Sequence, residues 1–429
     1  MEVVAIIFLV LLALGMPVAF AIALSSTVFF FINPQLPLSI VVQRVVSPSQ
    51  SFTMLAIPLF IFAGNLMNST GITSRLLKFA NVMTGHMYGS IGQLSCVLST
   101  LMSGVSGSAN ADAAMQSRIL GPEMTKRGFA KGYSAAINGY SALIVATIPP
   151  SMGLIIFGSV GEVSIGRLFA GGFVPGFLMM IFLMIAVRFT AKKRGYLPER
   201  DKPATLKEVG RASIDAVWAL LFPIILIIGL RFGLFTPSES GAFACVYAIL
   251  IGRFIYKELT LKVFFQTLKN TAADIGVIMF LICVSGIFGF GIVVDRVPQA
   301  LSGFLMGITE NQFLMLFLVI LLLISIGLFI ESTIVALLMT PILLPVVTRL
   351  GVDPVQFGLI MMTVTTMGIM TPPVGIALFT TSTIMGCKPE ETVKESGPFI
   401  LAVLAVVVIM VFFRDVVLFL PNLIFGPMR

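Results

Sequence analysis

Two prolyl pairs interrupt long apolar segments of this chain. They are Pro149-Pro150, within Thr147-Ile148-Pro149-Pro150-Ser151, and Pro372-Pro373, within Met370-Thr371-Pro372-Pro373-Val374. A proline inside a helix removes a backbone donor and clashes with the preceding turn, at a cost of about 3 kcal/mol or more. In hydrocarbon the freed carbonyls find no water, so broken backbone survives there only inside protein or beside a wet cavity. Each pair follows a glycine of another apolar stretch by 45 residues, Gly104 in one case and Gly327 in the other, and the two sets are 223 residues apart. Breaks at matching places in two halves are the sequence pointer to a transporter binding site.

The rest of the chain fits that setting. Of 429 residues 58% are hydrophobic and 11% charged, with a mean hydropathy of +1.06, which excludes an ordinary soluble domain. The segment Val3–Ile32 is too long for a signal-peptide core and has no small-residue cleavage pattern, so it reads as one mature membrane helix. The net charge of +8 does not imply nucleic acid, because the Lys and Arg lie in loops, as the positive-inside rule expects. Cys96, Cys245, Cys283 and Cys387 are too scattered for a disulfide framework or a metal site.

Apolar segments of spanning length run over Val3–Ile32, Phe52–Met67, Tyr133–Val160, Ile165–Thr190, Ile214–Phe232, Ser240–Tyr256, Ala272–Val294, Val355–Met385 and Phe399–Leu420. Gly89–Gly121 and Asn311–Pro345 carry small and polar residues in their middles, leaving limbs of about a dozen residues, and read as re-entrant hairpins. At the offset of 223, Phe20 meets Phe243, Pro122 meets Pro345 and Pro175 meets Pro398. The organisation is thus a first repeat over 1–207 (hairpin 89–121, broken helix 133–160), a linking helix over 208–235, and a second repeat over 236–429 (hairpin 311–345, broken helix 355–385). The segment Arg188–Arg211 holds eight Lys or Arg against three acids and is placed in the cytoplasm. Counting spans from it puts Arg75, Lys78, Lys131, Lys262, Lys269 and the N-terminus in the cytoplasm, and the C-terminus outside. The linking helix is an odd extra span, so the second repeat is inverted. Ile72–Phe79, Thr205–Ile214 and Leu259–Leu268 read as interfacial amphipathic helices.

A helix that stops at mid-membrane leaves donors at its N-terminal end and acceptors at its C-terminal end. Carbonyls from a hairpin tip and a broken helix can replace the water shell of a small cation, and donors of opposing half-helices can hold an anion. The bland alternative is two kinks and two packing turns. Intramembrane acids are functional candidates by default. Glu331 either faces a substrate or caps the second limb of its hairpin, and Asp112 reads as structural. Gly104-Val105-Ser106-Gly107 matches the G-x-S-G of intramembrane serine proteases, but the one histidine, His86, lies about 20 residues upstream at the other end of the same limb. Prenyl- or phospho-transferases would want clustered aspartates for magnesium, which the chain lacks. A channel fits paired, fixed half-helices less well than alternating access does.

Several stretches resemble one family over essentially the whole chain. They are Leu55–Gly64, Ser106-Gly107-Ser108 with Ala111-Asp112-Ala113-Ala114, Ile148–Ser151, Gly233–Gly241 and Thr371–Gly375. The chain resembles the large membrane subunit of tripartite ATP-independent periplasmic (TRAP) transporters, DctM-like, within the ion transporter superfamily. The resemblance implies an all-α polytopic fold with an inverted repeat, two re-entrant hairpins and two broken helices. It implies an elevator-type secondary transporter of the bacterial inner membrane, driven by sodium (Na+), with two coupling ions and no organic cofactor. A small membrane subunit and a periplasmic substrate-binding protein are the partners it implies. One sodium falls to Ser103, Ser106, Val145, Ile148 and Pro150, mainly through carbonyls, and a second to Gly327, Gly368, Thr371 and Val374. Val145 stands where some relatives have glycine. The substrate would meet Ser108, Asn110, Ser151 and Gly153 from one half and Glu331, Ser332, Thr333 and Gly375 from the other. Glutamate at 331, where the sialic-acid branch tends to carry aspartate, points to a smaller carboxylate or sulfonate. The expectation is sodium-coupled uptake of a small organic anion, without enzymatic activity. The alternatives are a stand-alone anion symporter of the same superfamily or an intramembrane serine protease.

Overall fold

Glycine and proline set the ends of many helices here. The structure, a computed structural model, describes residues 1–309 and 311–427, with the side chains of residues 106, 302, 305 and 306 also outside that description. Gly15, at φ +80°, and Pro17 split the N-terminal apolar run into α1 (Glu2–Ala13) and α2 (Val18–Ile32), which pack on each other. The single helix expected over Val3–Ile32 is therefore two short ones. Next come α3 (Ser39–Val46), α4 (Ala56–Ser69) and α5 (Ile72–Thr84), with the α3 segment bent 61° from the α4 segment. The first hairpin is α6 (Ser90–Ser106) and α7 (Ala109–Lys126). The first broken helix is α8 (Lys131–Ala142), a 3-10 turn at Leu143–Ala146, and α9 (Met152–Val160). Then α10 (Ile165–Arg194) and α11 (Leu206–Arg231) lead to the second half.

That half opens with α12 (Pro237–Leu250), prolonged by a π turn at Ile251–Ile255, α13 (Leu261–Val294) and α14 (Val297–Ile308). It continues with hairpin α15 (Gln312–Gly327) and α16 (Ser332–Arg349), broken helix α17 (Pro354–Gly368) and α18 (Ile376–Met385), and then α19 (Pro389–Phe412) and α20 (Arg414–Phe425). Helices α7 and α8 start 223 residues before α16 and α17, and the starts of α6, α9 and α10 match those of α15, α18 and α19 to within one residue. The two broken helices run antiparallel. Met370 packs on Gly139 and Tyr140 and the Lys131 amine reaches the Gly386 carbonyl, while Met362 packs on Gly153 and Phe357 lies beside Phe157. Antiparallel equivalents are what an inverted repeat requires.

Four expectations change. Among the described residues six helices are long and apolar enough to cross a membrane alone (α10, α11, α12 with its π turn, α13, α19 and the hairpin limb α16), or seven with the bent α3–α4 pair, against the nine spans expected. Three of the nine, Val3–Ile32 and the two broken helices, are each built from shorter pieces, and Phe52–Met67 reaches spanning length only as part of the bent pair. Helix α16 is a limb of the second hairpin and lies outside the nine. The hairpin limbs hold 16 to 18 residues, not a dozen, because helix is lost only at Gly107–Ser108 and Leu328–Glu331. Thr205–Ile214 and Leu259–Leu268 are not separate interfacial helices. Thr205 and Thr260 cap the starts of α11 and α13, and no proline parts those first turns from the spans that follow. Finally, the Met1 amino group pairs with Asp295, at the opposite end of α13 from Lys262 and Lys269. Phe8 lies by Phe288, Phe20 by Phe280 and Phe30 by Phe290, so α2 runs back along α13 toward the end where α1 began. The N-terminus and those lysines, expected on one side, are on opposite sides.

Candidate functional site

Each hairpin tip rests on the broken helix of its own half. Gly107, at φ +63°, makes the first tip, a backbone conformation that side chains rarely adopt. A Cβ there would stand 3.1 Å from the Pro150 carbonyl oxygen. Ser106 ends α6, its side chain lying outside the described residues, and the buried Ser103 hydroxyl donates to Thr100 O at 2.5 Å. Pro149 and Pro150 have no N–H to offer the carbonyls of Val145 and Ala146, four residues back. The Ala146 carbonyl takes the Ser151 hydroxyl at 2.7 Å instead. Val145, Ile148 and Pro150 are all buried.

The second tip comes closer. A Cβ on Gly368 would stand 2.4 Å from the carbonyl of Gly327, so glycine at both places lets the two backbones touch. Leu328 O accepts from Gly375 N at 3.4 Å, binding the tip to the start of α18. Of the carbonyls that Pro372 and Pro373 release, Gly368 O takes Thr371 N at 2.9 Å. Ile369 O takes Ala377 N and Leu378 N at 3.0 and 3.2 Å. The Thr371 hydroxyl donates to Met367 O, and Val374 is 39% exposed. Both Pro-Pro bonds are cis. The first break is thus sealed inside the protein, while Pro372, Pro373 and Val374 of the second lie at a surface.

The expected substrate residues are less uniform. Ser108 caps α7, its hydroxyl accepting from Ala111 N, and the half-buried Asn110 keeps a buried Oδ1 with no partner among the described residues. Ser151 caps α9, accepting from Leu154 N, and Gly153 is covered by Met362, so these two face packed protein. Glu331 occupies the N-cap position of α16 and accepts the Thr333 hydroxyl, with Ser332 buried beside it. Gly375, at φ +43°, opens α18. His86 precedes α6 and Ser106 ends it. That 17-residue helix keeps the protease pair roughly 26 Å apart.

A buried polar cluster escaped the sequence reading. Asp112 Oδ2 accepts from Ser99 at 2.8 Å and Gln116 at 2.7 Å, and Ser95 bonds Gln116, Asn138 and Ser141. These bonds tie α6, α7 and α8 together. The signal was present: Ser95/Ser99 and Asp112/Gln116 are both i, i+4 pairs, whereas their counterparts at the offset of 223 (Leu318, Leu322, Val335, Met339) are apolar. Asp112 also borders a cleft of about 710 Å³ shared with Asn68, Ser69, Thr73 and Glu258, between the α4–α5 turn and α7.

Comparison with known proteins agrees with this architecture. A family profile described as tripartite ATP-independent periplasmic transporter, DctM component, matches residues 5–416. The sialic acid TRAP transporter large permease protein SiaM of Vibrio cholerae is 35% identical over 419 residues, covering 97% of each chain. The isethionate TRAP transporter permease protein DctMQ of Oleidesulfovibrio alaskensis is 35% identical over 94% of this chain and 63% of that longer protein. The crystal structure of the Alcanivorax borkumensis YdaH transporter shares the fold, with a TM-score of 0.62 at 12% identity over 88% of each chain. Paired hairpins on paired broken helices, the profile match and these relatives lead to one conclusion: the chain belongs to the DctM component family of tripartite ATP-independent periplasmic transporters, as a multi-pass membrane permease subunit and not an enzyme.

Proposed function

We propose that this chain carries a small organic anion, a carboxylate or sulfonate, across the bacterial inner membrane, driven by two sodium ions. The observation that carries the reading is the twofold seating of a hairpin tip on a proline-broken helix, Gly107 on Pro150 and Gly327 on Gly368. Each break removes the helical amide donor from two carbonyls. Ala146, Gly368 and Ile369 find other donors, but a carbonyl keeps a second lone pair, and such oxygens are what a dehydrated monovalent cation needs. One ion would join the backbone at Ser103 and Ser106 to Val145, Ile148 and Pro150. The other would join Gly327 and Gly368 to Thr371 and Val374. The anion would complete the gap using Ser108, Asn110, Glu331, Ser332 and Thr333. Glu331 would then accept hydroxyls of the substrate, while donors at the α7 and α16 N-termini face its charge.

The name of the longer isethionate relative, DctMQ, fits a large and a small component in one chain. We take this chain to work with a separate small membrane subunit and a periplasmic substrate-binding protein. Motion of the hairpins and broken helices against α4, α5, α11 and α12 would give alternating access, with the 710 Å³ cleft lying on that boundary.

The test is uptake in proteoliposomes holding the chain with both partners. Accumulation of the anion that the binding protein delivers should require an inward sodium gradient, and uptake that ignores sodium overturns the coupling. Sodium should also raise the melting temperature above that in potassium at equal ionic strength. Ser106→Leu should remove this shift; an unchanged shift moves the first ion elsewhere.

A further inference from the structure

A second site lies away from the hairpins, at the end of the molecule that carries Arg188–Arg211. There α5 packs on the first turns of α11, and the two enclose a cavity of about 520 Å³. Five cations line it, Arg75, Lys78, Arg200, Lys207 and Arg211, against two carboxylates, Glu208 and Asp215. Much of that charge is already engaged. Arg75 pairs with Glu258 at 2.8 Å and lies over the Tyr256 ring, and Arg200 approaches Glu208 at 3.7 Å. Glu208 is further committed to the α11 capping box, where it accepts from the Thr205 amide and hydroxyl. Lys78, Lys207 and Arg211 make no ion pair among the described residues. Three free cations thus share one concavity.

The order of residues along α11 says what kind of anion fits. Lys207, Arg211, Ile214 and Trp218 are spaced i, i+4, i+7 and i+11, which places them on one stripe of the helix. The stripe changes from basic to apolar as α11 enters its spanning length. Ile214 is 72% exposed and Trp218, the chain's only tryptophan, is 38% exposed. An ion such as free phosphate would use only the basic end. A ligand with a phosphate head and a hydrocarbon tail would use both ends, and tryptophan favours that boundary.

We propose that this cavity is a binding site for an anionic phospholipid. Its phosphate lies among Lys78, Lys207 and Arg211, and its acyl chain runs along Ile214 and Trp218. The lipid would fasten the amphipathic α5 to the start of α11, and through it the turn that leads into the first hairpin. The site is independent of the sodium reading and requires only that the chain spans a bilayer.

The test uses the full chain in nanodiscs of phosphatidylcholine with a rising fraction of phosphatidylglycerol, read as melting temperature and as lipid retained in native mass spectrometry. The wild-type protein should be stabilised and retain the anionic lipid, while glycerol phosphate at millimolar concentration gives no shift. The K78Q/K207Q/R211Q variant changes exposed side chains only, and its apparent lipid affinity should fall about tenfold or more. A second variant, K126Q/K192Q/K193Q, removes equal charge elsewhere and should bind like wild type. If both variants lose affinity equally, or if glycerol phosphate reproduces the shift, the site is overturned. Ile214→Ser with Trp218→Ser should weaken retention of the lipid; retention at wild-type strength would remove the acyl-chain contact.

Discussion

Single residues decide how closely the tips approach the breaks. Gly368 has Gly327 backbone where a Cβ would go, at 2.4 Å, so Gly368→Ala should destabilise the detergent-solubilised protein by roughly 1–3 kcal/mol. Gly210→Ala, where nothing lies within 4 Å, should be neutral or slightly stabilising in the same unfolding assay. Asp112 makes a second contrast. Asp112→Leu would remove the acceptor of the Ser99 hydroxyl and one acceptor of Gln116, which still donates to Ser99, and a buried donor left unpaired costs about 1–3 kcal/mol. Asp112→Asn keeps the acceptor and should lose much less. Equal losses for the two would show that volume, not hydrogen bonding, matters there. Gly104 and Gly327 were legible as markers because they share an offset with the prolines. The Asp112 partners were legible only as two polar i, i+4 pairs with apolar counterparts; that the pairs meet each other is set by the fold, since such a pair looks the same whether it meets lipid, water or a buried amide.

Helices and their ends are the next scale. The starts of α7, α8, α16 and α17 follow the repeat found in the sequence, since caps and prolines act within a few residues. The span expected from Ile214 begins at Leu206 because no stop signal separates the two, and the span expected over Val3–Ile32 is divided by Gly15 and Pro17. Burial could not be read from composition either, because a membrane helix is apolar on lipid-facing and protein-facing sides alike. The C-terminal helix offers a test of docking. Arg167 near the start of α10 donates to Gly426 O at 2.6 Å and Asn422 Oδ1 at 2.7 Å, holding α20 in place. Arg167→Ala should speed amide hydrogen exchange in α20 by at least about tenfold while leaving α7 and α16 unchanged. No change in α20 would mean that its apolar contacts alone hold it.

Across the whole molecule the halves are interlocked, with α18 lying on α7 and α8 and α9 lying on α16 and α17. That arrangement suits hairpins and broken helices moving as one unit. Gly104 on α6 lies against Pro223 on α11, across the boundary proposed to slide. A Gly104→Cys/Pro223→Cys pair oxidised to a disulfide should stop uptake, and reduction should restore it; full transport by the oxidised protein would count against sliding at that contact. The sequence by itself determined that the chain is a membrane protein, that it repeats at 223 residues, and that both halves carry a break preceded by a hairpin. Those properties follow from composition and from local backbone chemistry, which proline and glycine express wherever they stand. Only the tertiary structure decided which tip meets which break, that the first break is sealed while the second lies at a surface, and which side of the molecule the N-terminus shares. These depend on contacts between residues tens to hundreds of positions apart, such as Gly107 with Pro150 or Met1 with Asp295, and no local rule specifies them.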